Sequence, residues 1–374
     1  MKIKGIKYIG PIFDGSGYGK ACRGNINALF NAGIPLTLAP ISFDAKKPTL
    51  GEDEAKLLEG LTNRDIEYNF VIIHSTPEFW ERLREPGKIN VGYTVWETSK
   101  LHRDWPDYIN KNVDKVLVGC DWNVGVLRDS GVTIPIGVAP HGAKPSDFDN
   151  IKPFDIKGVG EDTYVFYDIF QWSERKNPMA LLQSFWYAFR NNEDVALVLK
   201  TYMGDHSSED QDRIKNMVGQ VKKMTRFENY PKVFLVHELL SDNELKGLHA
   251  RGDCYVSLDR GEGFGLGPFQ AGQCNNPIIV TGWGGVTEYA KEDNSYLVNY
   301  QMTPVVGMGN NPWYTADQLW AEPDLEDAAK LMKHVYNNKD GAKNMGIQLR
   351  KYIEDNFTWD IIGKKIIKEL EEMS

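Results

Sequence analysis

The chain has 374 residues, of which 41% are apolar, 11% aromatic and 25% charged. At roughly 100–200 residues per domain this points to two ordinary globular domains with ample core, and it excludes collagen-like, coiled-coil and wholly disordered chains. The net charge of −9 is uneven, since residues 1–147 hold 18 basic and 18 acidic side chains and the rest hold 25 and 34; an acidic chain gains nothing from an anionic membrane, and only the neutral first part could meet a polyanion without repulsion.

Strand-like apolar runs come first at residues 4–10, 34–40, 70–75, 91–96, 116–120 and 134–140, with helical stretches such as 18–32 and 105–111 between them. The pattern then restarts. Residues 165–170, 195–202, 233–239, 254–259 and 278–282 read as strands, and 178–190, 209–223, 242–250 and 265–273 as helices. Strands alternating with helices specify a parallel sheet covered on both faces. Two such series give an α/β chain of two Rossmann-like domains. Residues 144–162, rich in Pro, Asp, Gly and Lys, read as the linker, and residues 359–373 as a charged amphipathic helix. No apolar run approaches ~18 residues, so no membrane-spanning helix is expected. The first residues lack the long apolar core of a secretory signal. Cys22, Cys120, Cys254 and Cys274 form no CxxC. They fit buried thiols in a reducing compartment, so a cytoplasmic location is expected.

Three segments carry chemistry. Asp14-Gly15-Ser16-Gly17-Tyr18-Gly19 lies between the first strand and first helix. Its glycines suit either a tight turn or close approach to an anion at a helix N-terminus. Arg175 and Lys176 follow the first strand of the second series. They are either a solvated basic pair or a diphosphate site, with a fork for oxygens and a point charge. The third segment runs from Asp259-Arg260-Gly261-Glu262-Gly263-Phe264-Gly265-Leu266 to Gln270. Four glycines surround one acid between a strand and a helix. The backbone N–H groups of Phe264, Gly265 and Leu266 would face an anion, and Glu262 would accept from sugar hydroxyls.

With these residues, the segment GEGFGLGPFQA resembles the glutamate–seven residues–glutamate region of retaining glycosyltransferases of the GT-B fold, family four in the usual classification. Ser16-Gly17-Tyr18-Gly19, Arg175-Lys176 and Gly282-Trp283-Gly284-Gly285 fall in the family's order. Residues 93–98 (YTVWET) and Pro140-His141-Gly142 are similar to a bacterial and phage branch. The resemblance covers nearly the whole chain. It implies two Rossmann-like domains facing each other across a cleft, the first formed by 1–147 plus 355–374 and the second by 148–354. The last helix would cross back to the first domain.

By this resemblance Gly15 and Gly17 would approach the donor phosphates, and Arg175 and Lys176 would stabilise the departing diphosphate. Glu262 would hold hydroxyls of the transferred sugar. Residues 236–240, His237 among them, would line the nucleobase pocket. The family's second glutamate is Gln270 here, and an amide accepts from a ribose with one oxygen only. Many members carry a histidine where this chain has Trp96 and Glu97; His74, at the preceding strand end, is the alternative or a structural residue. Asp147-Phe148-Asp149, the Asp-x-Asp near the domain junction, reads as a solvated loop. Arg175 and Lys176 supply the positive charge, so no metal and no cofactor are expected beyond a UDP- or GDP-linked sugar. Trp80, Trp96, Trp105 and Trp122 would stack on a carbohydrate or base where exposed, and otherwise are core. The expected activity is transfer of a sugar from a nucleoside-diphosphate sugar to an acceptor hydroxyl with retention. The acceptor would be a carbohydrate, a lipid-linked molecule or a nucleic acid. Hydroxymethylated pyrimidines in DNA are one alternative acceptor. A nucleotide-sugar-binding protein without activity is the other reading.

Overall fold

The computed structural model describes residues 2–43, 50–190 and 194–373. The chain divides into two compact units, residues 1–144 with 354–374, and residues 145–353.

In the first unit six strands, β1 (Ile6–Gly10), β2 (Leu36–Pro40), β3 (Phe70–His74), β4 (Ile89–Thr94), β5 (Lys115–Val118) and β6 (Ile136–Val138), pair in the order β2-β1-β3-β4-β5-β6. Every pairing is parallel. β3 is buried at all five positions, as expected of a parallel strand covered on both faces. The helices are α1 (Gly17–Asn31), α2 (Glu52–Leu61), α3 (Trp80–Leu83), α4 (Trp105–Asn112) and α5 (Asp121–Asp129).

The second unit repeats the plan. β7 (Tyr164–Gln171), β8 (Val195–Tyr202), β9 (Lys232–Val236), β10 (Cys254–Ser257), β11 (Ile278–Thr281) and β12 (Tyr296–Val298) form the sheet β12-β11-β10-β7-β8-β9. All its pairings are parallel. Around it lie α6 (Pro178–Phe189), α7 (Ser208–Thr225), α8 (Asp242–Arg251), α9 (Leu266–Gln273) and α10 (Leu325–Asn337). The core packs Phe166, Phe185, Trp186 and Leu197 against Met332 and Val335. An antiparallel hairpin of β13 (Tyr300–Pro304) and β14 (Leu319–Pro323) follows β12. The strand and helix readings missed it, because residues 300–304 expose four of five side chains and carry no apolar run.

The segment 144–162, read as a linker, is docked on the second unit. Phe154 N donates to Gly247 O at 2.9 Å, and Asp147 and Asp149 pair with Lys246 and Arg350. Phe148 between them is buried. The tripeptide is therefore an ion-paired, anchored turn rather than a solvated loop.

The last helices are α11 (Lys339–Asn356) and α12 (Trp359–Glu371). α12 belongs to the first unit. Ala143 N donates to Phe357 O at 2.7 Å, and Lys115 pairs with Glu369 at 2.5 Å. α12 lies so close to α1 that a Cβ on Gly363 would sit 2.5 Å from the Ala28 carbonyl oxygen. That oxygen is backbone and cannot swing away. Gly363→Ala is therefore expected to destabilise the first unit by about 1–3 kcal/mol. A thermal melt should show its transition several degrees lower.

Candidate anion and sugar site

Sheet order brings three loops of the second unit together. β10 pairs with β7 on one side and β11 on the other. The segments that leave the carboxyl ends of these strands, 172–177, 258–265 and 282–285, are thus neighbours, at the edge where open α/β sheets bind ligands.

The first of these loops carries the cations. It ends at Asn177, which adopts φ 47° and caps α6, its side chain accepting from Ala180 N. The second carries the acids and ends at Gly265, with φ 83°, which starts α9. Arg175 Nη1 donates to Glu262 Oε1 at 2.5 Å and to Gly261 O at 2.7 Å. Lys176 Nζ donates to the same Oε1 at 2.5 Å and to Asp259 Oδ2 at 3.1 Å. Ser257 Oγ donates to Asp259 Oδ2 at 2.7 Å. The side chains of Arg175, Lys176 and Glu262 keep only 15–19% exposure, so these are partly desolvated ion pairs.

Protonation follows from this geometry. Burial favours the neutral Glu262, but the adjacent Lys176 and Arg175 overcome it and hold its pKa down to about 2. Lys176 is pushed up despite burial by Asp259 and Glu262. Asp259 is raised to about 6, burial being the largest cause and Glu262 adding to it against Lys176. Asp168 of β7, 1% exposed, is raised well above the carboxylate range by burial and by Asp259. The site therefore holds one firmly ionised carboxylate against two cations.

The third loop closes the site through glycine. Gly285 N donates to Glu262 O at 2.6 Å. A Cβ on Gly285 would lie 2.1 Å from Gly263 O, and Gly284 has φ 86°. The Phe264 ring is core, 2% exposed and packed on Phe269 and Tyr289. Tyr289 OH donates to Gly265 O. Phe264, Gly265 and Leu266 thus bring backbone to the N-terminus of α9, one turn before Gln270, which is partly exposed.

Two residues without an assigned role in the sequence reading join the loops. The Arg260 guanidinium meets Glu322 of β14 and Glu174 of the cation loop. The sequence signal for Glu322 was absent, since it lies 62 residues from Arg260.

Of the other candidates, His237 belongs to the second unit and the rest to the first. His237 is 6% exposed. Its Nδ1 lies 3.1 Å from Thr201 O and its Nε2 3.1 Å from Ser207 O, so the ring fastens β8 to the start of α7. In the first unit Gly15 and Gly17 are exposed at the amino end of α1. Gly19 makes the turn tight, because its Cβ would lie 2.3 Å from Asp14 O. His74 is 2% exposed at the end of β3. Its Nδ1 lies 2.6 Å from Tyr8 OH, and its ring is 4.2 Å from that of Tyr93. Burial, with His141 adding, keeps it neutral by pushing its pKa well down. Glu97 is partly exposed. Trp80, Trp96 and Trp105 are core, at 0%, 3% and 0% exposure, and Trp122 is partly exposed. Among the described residues, no group of three His, Cys, Asp or Glu could hold a metal ion, and no helix is long and apolar enough to cross a membrane.

No protein-family model matches the chain. It is 20% identical over 298 residues to an uncharacterised protein of Sulfolobus islandicus rod-shaped virus 1, covering 79% of this chain and 80% of that one. It is 24% identical over 158 residues to a protein of Acidianus filamentous virus 1 whose name assigns it provisionally to the glycosyltransferases, covering 41% of this chain and 48% of that one. Among solved structures, Anabaena HepE in complex with UDP-glucose aligns with a TM-score of 0.67 at 13% identity, over 99% of this chain and 100% of that one. Sucrose-phosphate synthase of Thermosynechococcus elongatus aligns with a TM-score of 0.70 at 14% identity, over 99% of each. The architecture is thus the two-Rossmann-like-domain GT-B fold of these glycosyltransferases.

The carboxylates of the site also shape the stability of the fold. Glu262 is depressed in the folded chain, so its contribution is present above pH ~4.5 and lost as pH falls toward 2. Asp259 is raised, so its contribution is present below pH ~3.8 and lost as pH rises through about 6. Melting temperature followed from pH 7 to pH 2 should fall less steeply below pH 4.5 for Glu262→Gln than for the parent. Asp259→Asn should flatten the profile between pH 4 and pH 6.

Proposed function

We propose that the chain is a glycosyltransferase that moves a sugar from a nucleoside-diphosphate sugar to an acceptor hydroxyl with retention, without a metal ion. The observation that carries this is the convergence of Arg175 and Lys176 on Glu262 beside the N-terminus of α9, at the carboxyl ends of β7 and β10. The GT-B architecture supports it, as does the UDP-glucose held by HepE on a similar fold. A uridine nucleotide is the donor base we favour.

The barrier is separation of negative charge onto the departing diphosphate. Two cations fixed by the fold need little reorganisation to meet that charge. Lys176 stays protonated because Asp259 and Glu262 face it. Glu262 stays ionised and can accept from sugar hydroxyls once phosphate oxygens take over its cations. The bond from the anomeric carbon to the phosphate oxygen breaks, and the acceptor oxygen bonds to that carbon on the same face. The acceptor proton passes to the departing phosphate.

Thermal shift against UDP, GDP and their glucose conjugates, with and without magnesium, tests the donor assignment. A ligand at 100 times its dissociation constant adds about 2.7 kcal/mol, a rise of several degrees here. We expect UDP and UDP-glucose to give it equally without magnesium; a flat panel would overturn the reading. Glu262→Ala should bind UDP at least as tightly as the parent, because the carboxylate that occupies both cations is gone. The same variant should lose transfer about a hundredfold or more. Turnover at the parent's rate in a folded variant would remove Glu262 from the mechanism.

A further inference from the structure

We infer that Arg260 is a positioning residue for the cation loop and that the β13–β14 hairpin, through Glu322, is the brace it works against; this rests on the donor-site reading above. Residue 260 is where three segments cross. Its backbone N donates to Arg175 O at 2.8 Å, and its backbone O accepts from Ala321 N at 2.8 Å. Its guanidinium is bidentate on Glu322, with Nε to Oε2 at 2.5 Å and Nη2 to Oε1 at 3.3 Å. Nη1 donates to Glu174 O at 2.6 Å and to Glu174 Oε2 at 3.2 Å. The guanidinium also lies 5.2 Å from the centre of the Trp320 ring, which is 1% exposed.

Glu322 reaches the cation loop a second time, accepting from Asn177 Nδ2 at 3.1 Å. The hairpin segment touches that loop again at Gly307, where a Cβ would lie 2.5 Å from Glu174 Cγ. Arg175 and Lys176 are thus bracketed in sequence by Glu174 and Asn177, both tied to the hairpin, while Arg260 separates Asp259 from Glu262.

The reason for such a brace is electrostatic. The cation loop has no regular structure, and its two cations face two acids. A bidentate Arg–carboxylate pair fixes direction as well as distance, so it holds the loops in place when phosphate oxygens compete for Arg175 and Lys176. The outer side of the hairpin is open to solvent. Tyr300, Met302 and Leu319 are 38%, 39% and 37% exposed. β14 buries Trp320, Ala321 and Pro323, and the first two of these meet Arg260.

The test is a double-mutant cycle on the full chain with Glu322→Gln and Arg260→Lys, and Val306→Ser as the control, since Val306 is 63% exposed on the hairpin loop. UDP affinity is measured by calorimetry at 25 °C, with release of UDP from UDP-glucose and melting temperature followed in parallel. Each single variant should weaken UDP about tenfold. The double variant should be no weaker than the worse single, because both break the same brace. Val306→Ser should match the parent. Glu174→Gln, which keeps the Arg260–Glu322 pair, is the milder variant if Arg260→Lys does not fold, and a few-fold loss is expected from it. Singles that bind UDP like the parent while melting lower would overturn the proposal in favour of a structural tie. Multiplicative losses in the double variant would also overturn it. A parent chain that binds neither UDP nor GDP would instead remove the donor-site reading beneath it.

Discussion

The site depends on one carboxylate held between two cations. Glu262 is partly desolvated, and an isolated charge there would be unfavourable. Arg175 and Lys176 make it tolerable, and it makes them tolerable in return, since each is also largely buried. The mutual dependence explains why the three residues sit on loops that must be held in register. A ligand that took over these cations would have to bring comparable negative charge and several acceptor oxygens.

The sheet and the glycines make that triad possible. Parallel strands in the order β11-β10-β7 put three strand-to-helix loops side by side. They can then close on one another only where side chains are missing. Gly285 stacks its backbone on that of Gly263, closer than any Cβ permits. Gly265 takes the left-handed conformation that turns the acid loop into α9, a conformation open to glycine at little cost. The glycines of the motif are thus explained by loop closure, and the carboxylate by charge pairing. These are two separate constraints on one short segment.

How much of this was legible in the sequence follows from the range of each interaction. β3 and β11 are nearly continuous apolar runs, and β7 and β8 are mostly apolar, because a parallel strand is covered on both faces; their positions could be read directly. Arg175-Lys176 and Glu262 could be read because each stands in a short segment at a strand end. The hairpin could not, since β13 is mostly exposed. The Arg260–Glu322 pair joins residues 62 apart with no local signal on either side. His237 and His74 show the opposite limit. A histidine at a strand end looks the same in sequence whether it meets a ligand or a neighbour. The His237 ring lies against two carbonyl oxygens of the fold, contacts that no local pattern signals. The segment 144–162 read as a linker from its composition, yet Lys246, Gly247 and Arg350, about a hundred or more residues on, anchor it.

The charge distribution fits this local picture once its range is considered. The cation pair stands in the part of the chain that carries the whole net charge of −9. A long-range field would therefore repel an anion rather than steer it. That field is screened beyond about 10 Å in ordinary buffer, whereas Arg175 and Lys176 act at hydrogen-bond distance. An anion bound there would be met by short-range geometry: a fork, a point charge and a helix N-terminus. This is why the exactness of the loops matters more to this site than the number of basic residues around it. In the first unit the polar groups at the strand ends, His74 and His141, are kept neutral by burial. The ion pairs of Arg175 and Lys176 with Glu262 thus belong to the second unit, and within it to two adjoining loops.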